Sequence, residues 1–277
     1  MSGERTEGTQ RLSGQVAIVT GGGRGIGRAI ALTLADAGAA VAAVARSSRE
    51  VDETARLIAE RSGRALALAA DVASPADVGR VAAETEARLG PVDILINNAG
   101  VSGPNTPLSE TDPDAWWRTV EVNLRGPMLC AHAVLPGMIR RARGVIINIG
   151  SYAGIRPNTG GSSAYAVSKA ALVRFSDSLA ATCGGQGVQV FTLSPGLVHT
   201  AMADALDVFK QIPETEWTPV AQVAAMALRL AAGDARQLNG RFFHVHDDLD
   251  ELLRETERIQ LEGLYTLRLA NLDGLVE

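Results

Sequence analysis

Tyr165 and Lys169 stand four residues apart in the run Tyr165-Ala-Val-Ser-Lys169, so on a helix their side chains share one face. A phenol titrates near about 10 and is a poor acid or base at neutral pH, but an ammonium a few ångströms away favours the phenolate and lowers that value. Taken alone, such a pair more often marks a surface contact. Two features argue for chemistry. Of the 26 basic residues only Lys169 and Lys210 are lysines, so this chain otherwise supplies positive charge with arginine. Fourteen residues before Tyr165 lies Ser151, just after an apolar run and ahead of the glycine-containing loop 153–161. A hydroxyl there can hydrogen-bond a carbonyl or an alcohol while Tyr165 exchanges the proton.

A second candidate lies near the N-terminus. Thr20 to Gly27 reads TGGGRGIG, follows an apolar run and opens a helical pattern. Its glycines permit positive φ and close backbone approach, and a helix N-terminus offers partial positive charge to a pyrophosphate. The spacing of Gly21, Gly25 and Gly27 is wider than the GxGxxG fingerprint, and a tight structural turn is the plain alternative. After the next apolar run comes Arg46-Ser47-Ser48, with no carboxylate where a free ribose 2′-hydroxyl usually meets one. Arg46, the two hydroxyls and Arg24 suit a 2′-phosphate, which favours NADP over NAD; a solvated helix-start arginine is the alternative.

The elements that must position these residues alternate regularly. Strands are predicted at 16–20, 40–45, 65–69, 93–96, 144–149, 188–193 and 241–246, most of them apolar along their length, as a sheet covered on both faces requires. Helical periods fall near 25–37, 48–62, 75–89, 112–140, 163–183 and 219–232, with Ser74-Pro75 and Asp112-Pro113 as start signals. The α/β reading is one doubly wound parallel sheet of about seven strands, a Rossmann fold with helices on both faces, whose ligands sit at the strands' carboxyl ends. The expected organisation is a flexible tail at 1–14, the domain at 15–246 and a helical extension at 247–277.

Composition narrows the classes. A net charge of -5, with no basic cluster denser than Arg140, Arg141 and Arg143, argues against nucleic acid. No apolar run is long enough to span a membrane, and the first 14 residues lack the apolar stretch of a signal peptide, so a cytoplasmic protein is expected. Cys130 and Cys183 sit in apolar helical patterns and read as buried free thiols.

In this order and spacing, TGGGRGIG, Asp71-Val72, the NNAG at 97–100, the VNL at 122–124, Ser151 with Tyr165-x-x-x-Lys169, and Pro195-Gly196 with Thr200 resemble the short-chain dehydrogenase/reductase family over residues 14–246. The resemblance implies that Tyr165 is the general acid/base and that Ser151 orients the reacting oxygen. It implies that Lys169 both lowers the tyrosine pKa and binds the nicotinamide ribose, and that Asn123 holds a water linking Lys169 to solvent. By the same resemblance Gly21, Arg24, Gly25, Ile26 and Gly27 take the pyrophosphate turn. Arg46 and Ser47 take the ribose end, and Asp71 and Val72 the adenine. Asn98, Ala99 and Gly100 line the cleft, and Pro195, Gly196, Val198 and Thr200 border the nicotinamide.

The expected function is an NADP-dependent oxidoreductase interconverting a ketone and a secondary alcohol. The alternatives are an NAD-dependent alcohol dehydrogenase and a non-catalytic dinucleotide-sensing protein. A homo-oligomer, dimer or tetramer, is implied through the helices at 112–140 and 163–183. The partner is a small carbonyl or alcohol, and no metal is expected. His244 and His246, two apart on a strand, read as a polar strand edge. Trp116 and Trp117 read as core or subunit contact. The acidic run from Asp247 reads as a helix N-terminus. Residues 201–217 correspond to the family's substrate lid, where Met202, Leu206, Val208, Phe209 and Ile212 suggest an apolar or mixed substrate. The last strand lacks the family's usual glycine-rich turn, so the closing edge is expected to be built differently, and the 31 residues at 247–277 are read as covering the substrate cleft, extending a subunit contact or, most plainly, packing on the sheet edge.

Overall fold

The computed structural model describes residues 10–156, 162–271 and 274–275. Seven parallel strands form one sheet: β1 (Val16–Thr20), β2 (Ala40–Ala45), β3 (Ala65–Ala69), β4 (Ile94–Asn97), β5 (Gly144–Ile149), β6 (Val188–Ser194) and β7 (Phe242–His244), in the order β3-β2-β1-β4-β5-β6-β7. The order reverses at β1, between β2 and β4, which opens a crevice at the carboxyl ends. Alternate residues serve opposite layers, because successive strand side chains point to opposite faces. Ala17 and Val19 of β1, Ile94 and Ile96 of β4, and Val145 and Ile147 of β5 enter one core. Ile18, Leu95 and Ile146 enter the other. Each such aliphatic side chain contributes about 1.5–3 kcal/mol by leaving water.

Helix α1 (Gly25–Asp36) packs on the first face through Ile30 and Leu34, beside α8 (Val220–Ala231), which buries Val223, Ala227 and Leu230. Helices α2 (Ser48–Glu60), α3 (Pro75–Arg88), α4 (Pro113–Val120), α5 (Gly126–Arg140), α6 (Ser163–Cys183) and the short α7 (Ala201–Asp204) complete the crossovers. Val78 and Val81 of α3, Val134 and Met138 of α5, and Ala180 and Cys183 of α6 fill the second core. The predicted caps form: Ser74 accepts from the N–H of Asp77, and Asp112 from that of Asp114. Both thiols are buried, and burial pushes that of Cys130 up to about 12.

Three expectations change, and of the alternatives for the extension one is met. The helix expected at 112–140 is two helices joined by a π turn at Glu121–Arg125. The last strand ends at His244 rather than 246, because Asp247 folds back: its N–H donates to the His244 carbonyl and its carboxylate accepts the His244 N–H. Residues 1–9 of the expected tail lie outside the described residues, but Leu12 is fully buried and its N–H bonds Ala37, so the folded body starts earlier than 15. The extension packs against the sheet's edge: α9 (Leu249–Arg254) and α10 (Thr256–Leu261) place Leu249, Leu252 and Ile259 in the first core, and the Tyr265 carbonyl accepts the Phe242 N–H of β7. Asp248 caps α9 by accepting from Asp250 and Glu251, as the acidic run led one to expect. Among the described residues no helix is long and apolar enough to cross a membrane.

Candidate active site

The carboxyl ends of β1, β2, β4, β5 and β6 enclose a cleft of roughly 650 Å³. Its walls contain Gly21, Arg24, Gly25, Ile26, Arg46, Ser47, Asp71, Val72, Asn98, Ala99, Gly100, Tyr165, Lys169, Pro195 and Thr200, so most of the residues singled out in sequence converge on one place. Five do not line it. Gly27 lies behind the turn, Ser151 stands next to Tyr165, Asn123 is buried below, and Gly196 backs onto Thr218. Val198 is a buried member of the first core, so its side chain packs the fold instead of facing a ligand.

The glycine turn is held from three sides. Thr20 Oγ1 accepts the N–H groups of Asn98 and Ala99, while the Asn98 amide donates to the carbonyls of Thr20 and Gly21 at 3.0 and 3.2 Å. A Cβ on Gly27 would stand 2.1 Å from the Gly21 carbonyl oxygen, which is why helix and turn can meet only through a glycine. Asn98 thus braces the turn rather than reaching across the cleft. Its neighbour Asn97 is buried, donating to Asn148, which in turn donates to Ser176 and links β4, β5 and α6.

At the far end of the cleft Arg46 is exposed and Ser47 caps α2 by accepting the Glu50 N–H. Asp71 is partly buried. Burial alone would raise its pKa, but the Ala73 N–H and the Arg118 guanidinium at 2.6 Å, with Arg46 beyond, outweigh it and hold the carboxyl below its ordinary value. Glu50 also lines the cleft, 3.5 Å from Arg24. Neither Glu50 nor the Asp71–Arg118 pair was legible in sequence, since the partners lie 26 and 47 residues apart.

The reactive groups sit at the other end. The Ser151 side chain stands close enough to the Tyr165 hydroxyl to favour the phenolate, and Ser151 accepts the Ala153 N–H at 3.2 Å. Lys169 is buried, donates to the Ile149 carbonyl at 2.7 Å, and lies 5.7 Å from the centre of the Tyr165 ring. Burial lowers its pKa to about 8. The expectation that the ammonium acidifies the phenol is corrected here: burial raises the Tyr165 pKa and only the Ser151 hydrogen bond opposes it, leaving it above the ordinary value. The ammonium keeps its charge while donating to the Ile149 carbonyl, but the buried phenolate would lose more hydration than that charge restores.

Asn123 lies in the π turn, a distortion frequent at functional sites. Its amide accepts from the Val101 N–H and donates to the Val101 carbonyl and to Ser168, so the side chain is a bracket between the cleft floor and α6. Trp116 donates to Ser163 at the start of α6, while Trp117 is exposed.

The lid region carries a cluster that sequence reading missed. His199 lines the cleft, stacks on Trp217 at 3.6 Å and pairs with Asp204 at 3.1 Å and Glu214 at 3.2 Å. The hydrogen bond to Asp204 is the largest influence on its pKa and, with the contact to Glu214, raises it against the opposing effect of burial. Among the described side chains of the apolar lid residues only Met202 reaches the cleft. Phe209 packs edge-on against Trp217, Leu206 is partly buried, and the Ile212 carbonyl accepts from the Trp217 indole; the side chain of Val208 lies outside the described residues. Behind Ser151, Tyr152 stacks on His244 at 4.3 Å. Burial, then His246 and Arg156, lower the His244 pKa to about 4, so this imidazole is neutral. His246 comes edge-on to it at 4.9 Å, and its ring bonds Thr218. Among the described residues no group of three or more His, Cys, Asp or Glu side chains is placed to hold a metal.

The chain is similar to proteins of known family. The family model described as short chain dehydrogenase matches residues 15–211. A short chain dehydrogenase of Pseudocercospora fijiensis is 39% identical over 92% of this chain and 87% of its own. The 3-oxoacyl-[acyl-carrier-protein] reductase FabG of Escherichia coli is 35% identical over 85% of this chain and 97% of its own. A gluconate 5-dehydrogenase from Burkholderia cenocepacia, solved in complex with NADP and tartrate, is 33% identical, covers 88% of this chain and 98% of its own, and superposes with a TM-score of 0.79.

Proposed function

The chain belongs to the short-chain dehydrogenase/reductase family, enzymes acting on CH–OH and C=O groups with a nicotinamide cofactor, and from that premise we propose that it reduces a small ketone to a secondary alcohol with NADPH. The observation that carries the reading is the Ser151–Tyr165 hydroxyl pair, with Tyr165 on the cleft that the glycine turn closes at its other end. The residues present fit the cofactor: a tight glycine cradle, a cleft of roughly 650 Å³, and two exposed arginines where a 2′-phosphate would lie. When bound, the nicotinamide supplies the hydride.

This chain's own residues handle the oxygen. Ser151 hydrogen-bonds the carbonyl and orients it against Tyr165. A phenol whose pKa lies above its ordinary value is neutral at physiological pH, so it is suited to donate its proton as the carbonyl oxygen gains charge. Lys169, titrating near 8, lies within reach of the working pH, and beside its bond to the Ile149 carbonyl it would hold the ribose hydroxyls. By the family resemblance Asn123 would hold the water that replenishes the proton; its side chain is engaged with Val101 and Ser168.

NADP preference is supported by Arg46 and Arg24 and by the NADP-bound relative. Glu50 is the one observation favouring NAD, since a carboxylate can accept from a ribose hydroxyl. The exposed Trp117, Met128 and Val167 on α4, α5 and α6 support pairing of two copies through these helices, and the buried thiols suit the reducing cytoplasm. The test is the initial rate of nicotinamide oxidation with NADPH and NADH over a panel of ketones, for the unaltered protein, Arg46→Ala and Tyr165→Phe. NADPH is expected to be preferred by about tenfold or more, corresponding to one charge-assisted contact. Arg46→Ala should narrow that preference, and Tyr165→Phe should lower turnover about 10²–10⁴-fold with cofactor affinity retained. Full turnover by Tyr165→Phe would refute the role of the phenol, and equal rates with both cofactors would refute the NADP reading.

A further inference from the structure

Two residues outside the cleft hold the back of the glycine turn. Thr54, fully buried in α2, accepts from Arg28 Nε at 3.1 Å, and its hydroxyl lies nearest the Gly22 carbonyl oxygen, at 2.9 Å, with the Glu50 carbonyl of its own helix at 3.1 Å and that of Gly23 at 3.4 Å. Arg28, on the first turns of α1, donates through Nη2 to the Gly23 carbonyl and reaches the Glu50 carbonyl at 3.4 Å. In a trans peptide the carbonyl of one residue and the N–H of the next point in opposite directions. Drawing the carbonyls of Gly22 and Gly23 back toward α2 therefore turns the N–H groups of Gly23 and Arg24 the other way. Both residues line the cleft, and neither N–H has a partner among the described residues. The preceding peptide is set by the Gly22 N–H, which donates to Val44 of β2 at 3.0 Å.

We propose that Arg28 and Thr54 are positioning residues that preset the Gly23 and Arg24 N–H donors for the anionic adenosine half of the dinucleotide. The proposal rests on the functional reading above. The latch also ties the turn to α2, whose first residues follow Arg46 and Ser47, so one network sets the geometry of both contacts to that half. Without it, the glycine peptides must be ordered at the moment of binding, and that cost falls on affinity.

NADPH fluorescence titration and steady-state kinetics on the full chain test this with Thr54→Val, Thr54→Ser, Arg28→Met and the Arg28→Met/Thr54→Val double variant. Thr54→Val and Arg28→Met should each raise Kd and KM for NADPH about tenfold while kcat at saturating cofactor stays within about twofold. Thr54→Ser, which keeps the hydroxyl, should bind like the unaltered protein. The double variant should be little worse than the weaker single, because the two act through one network. Thermal melts establish that each variant is folded; should Thr54→Val not fold, the half-buried Arg28→Met carries the comparison. If the unaltered protein binds NADPH and the folded variants bind it equally well, the latch is overturned and the functional reading stands. If the unaltered protein binds neither NADPH nor NADH, both fall together.

Discussion

Replacing Lys169 with methionine should separate stability from chemistry. The side chain is buried, and a fall in its pKa from 10.5 to about 8 means that the folded protein pays about 3 kcal/mol to keep the ammonium charged. The sign follows from proton binding: between 8 and 10.5 the unfolded chain holds this proton and the folded chain does not, so the penalty is complete below 8 and relaxes as pH rises. Methionine matches the stem and removes the charge, but it leaves the Ile149 carbonyl without its donor, a loss of about 1–3 kcal/mol. At pH 7 Lys169→Met should therefore be as stable as the unaltered protein, or up to about 2 kcal/mol more stable, while turnover falls by about 10² or more. Urea unfolding of both proteins at pH 7, 8 and 9 isolates the charge, because all other groups cancel in the difference and Tyr165 titrates above this window. The unaltered protein should gain about 1.3 kcal/mol on the variant between pH 7 and pH 9. A difference that stays flat over that range would show that the ammonium is not desolvated and would refute the account of the site's electrostatics.

Gly27→Ala should lose about 2–3 kcal/mol and weaken NADPH binding at least about tenfold, since its Cβ falls 2.1 Å from a backbone oxygen that cannot move without opening the turn; a thermal melt with a cofactor titration reads both. The His199 clasp should hold the lid best in acid. Its pKa is raised in the folded state, so its contribution is complete below about 6.5 and is lost as pH rises through the folded value. Limited proteolysis within residues 201–217 should accelerate between pH 6 and pH 9 in the unaltered protein. In His199→Gln it should already be fast at pH 6, and identical pH profiles in the two would sink the clasp.

The alternation of apolar runs with helical periods located the parallel sheet almost residue for residue, because strands covered on both faces must be apolar along their length and helices between them must follow a 3.6-residue period. The same local grammar announced Ser151, Tyr165, Lys169 and the glycine turn, since spacing of four on a helix and glycine at positive φ are properties of the chain itself. What lay beyond it was every effect set by partners distant in sequence. Asn98 was read as lining the cleft, which it does, and Asn123 as holding a water; that both side chains are also braces lay outside the sequence, because their partners belong to other segments. Arg28 and Thr54 carried no signal, being an ordinary helix arginine and an ordinary helix threonine until α1 and α2 meet behind the turn. The charge state of Tyr165 was misjudged for the same reason: spacing shows that an ammonium is near, but only the packed structure shows how little water surrounds the phenol and that a carbonyl already holds the ammonium. Sequence determined which groups are present and on which face, as covalent geometry and periodicity dictate. The tertiary structure alone decided their solvation and their hydrogen-bond partners, because both depend on what the rest of the chain brings to the same place.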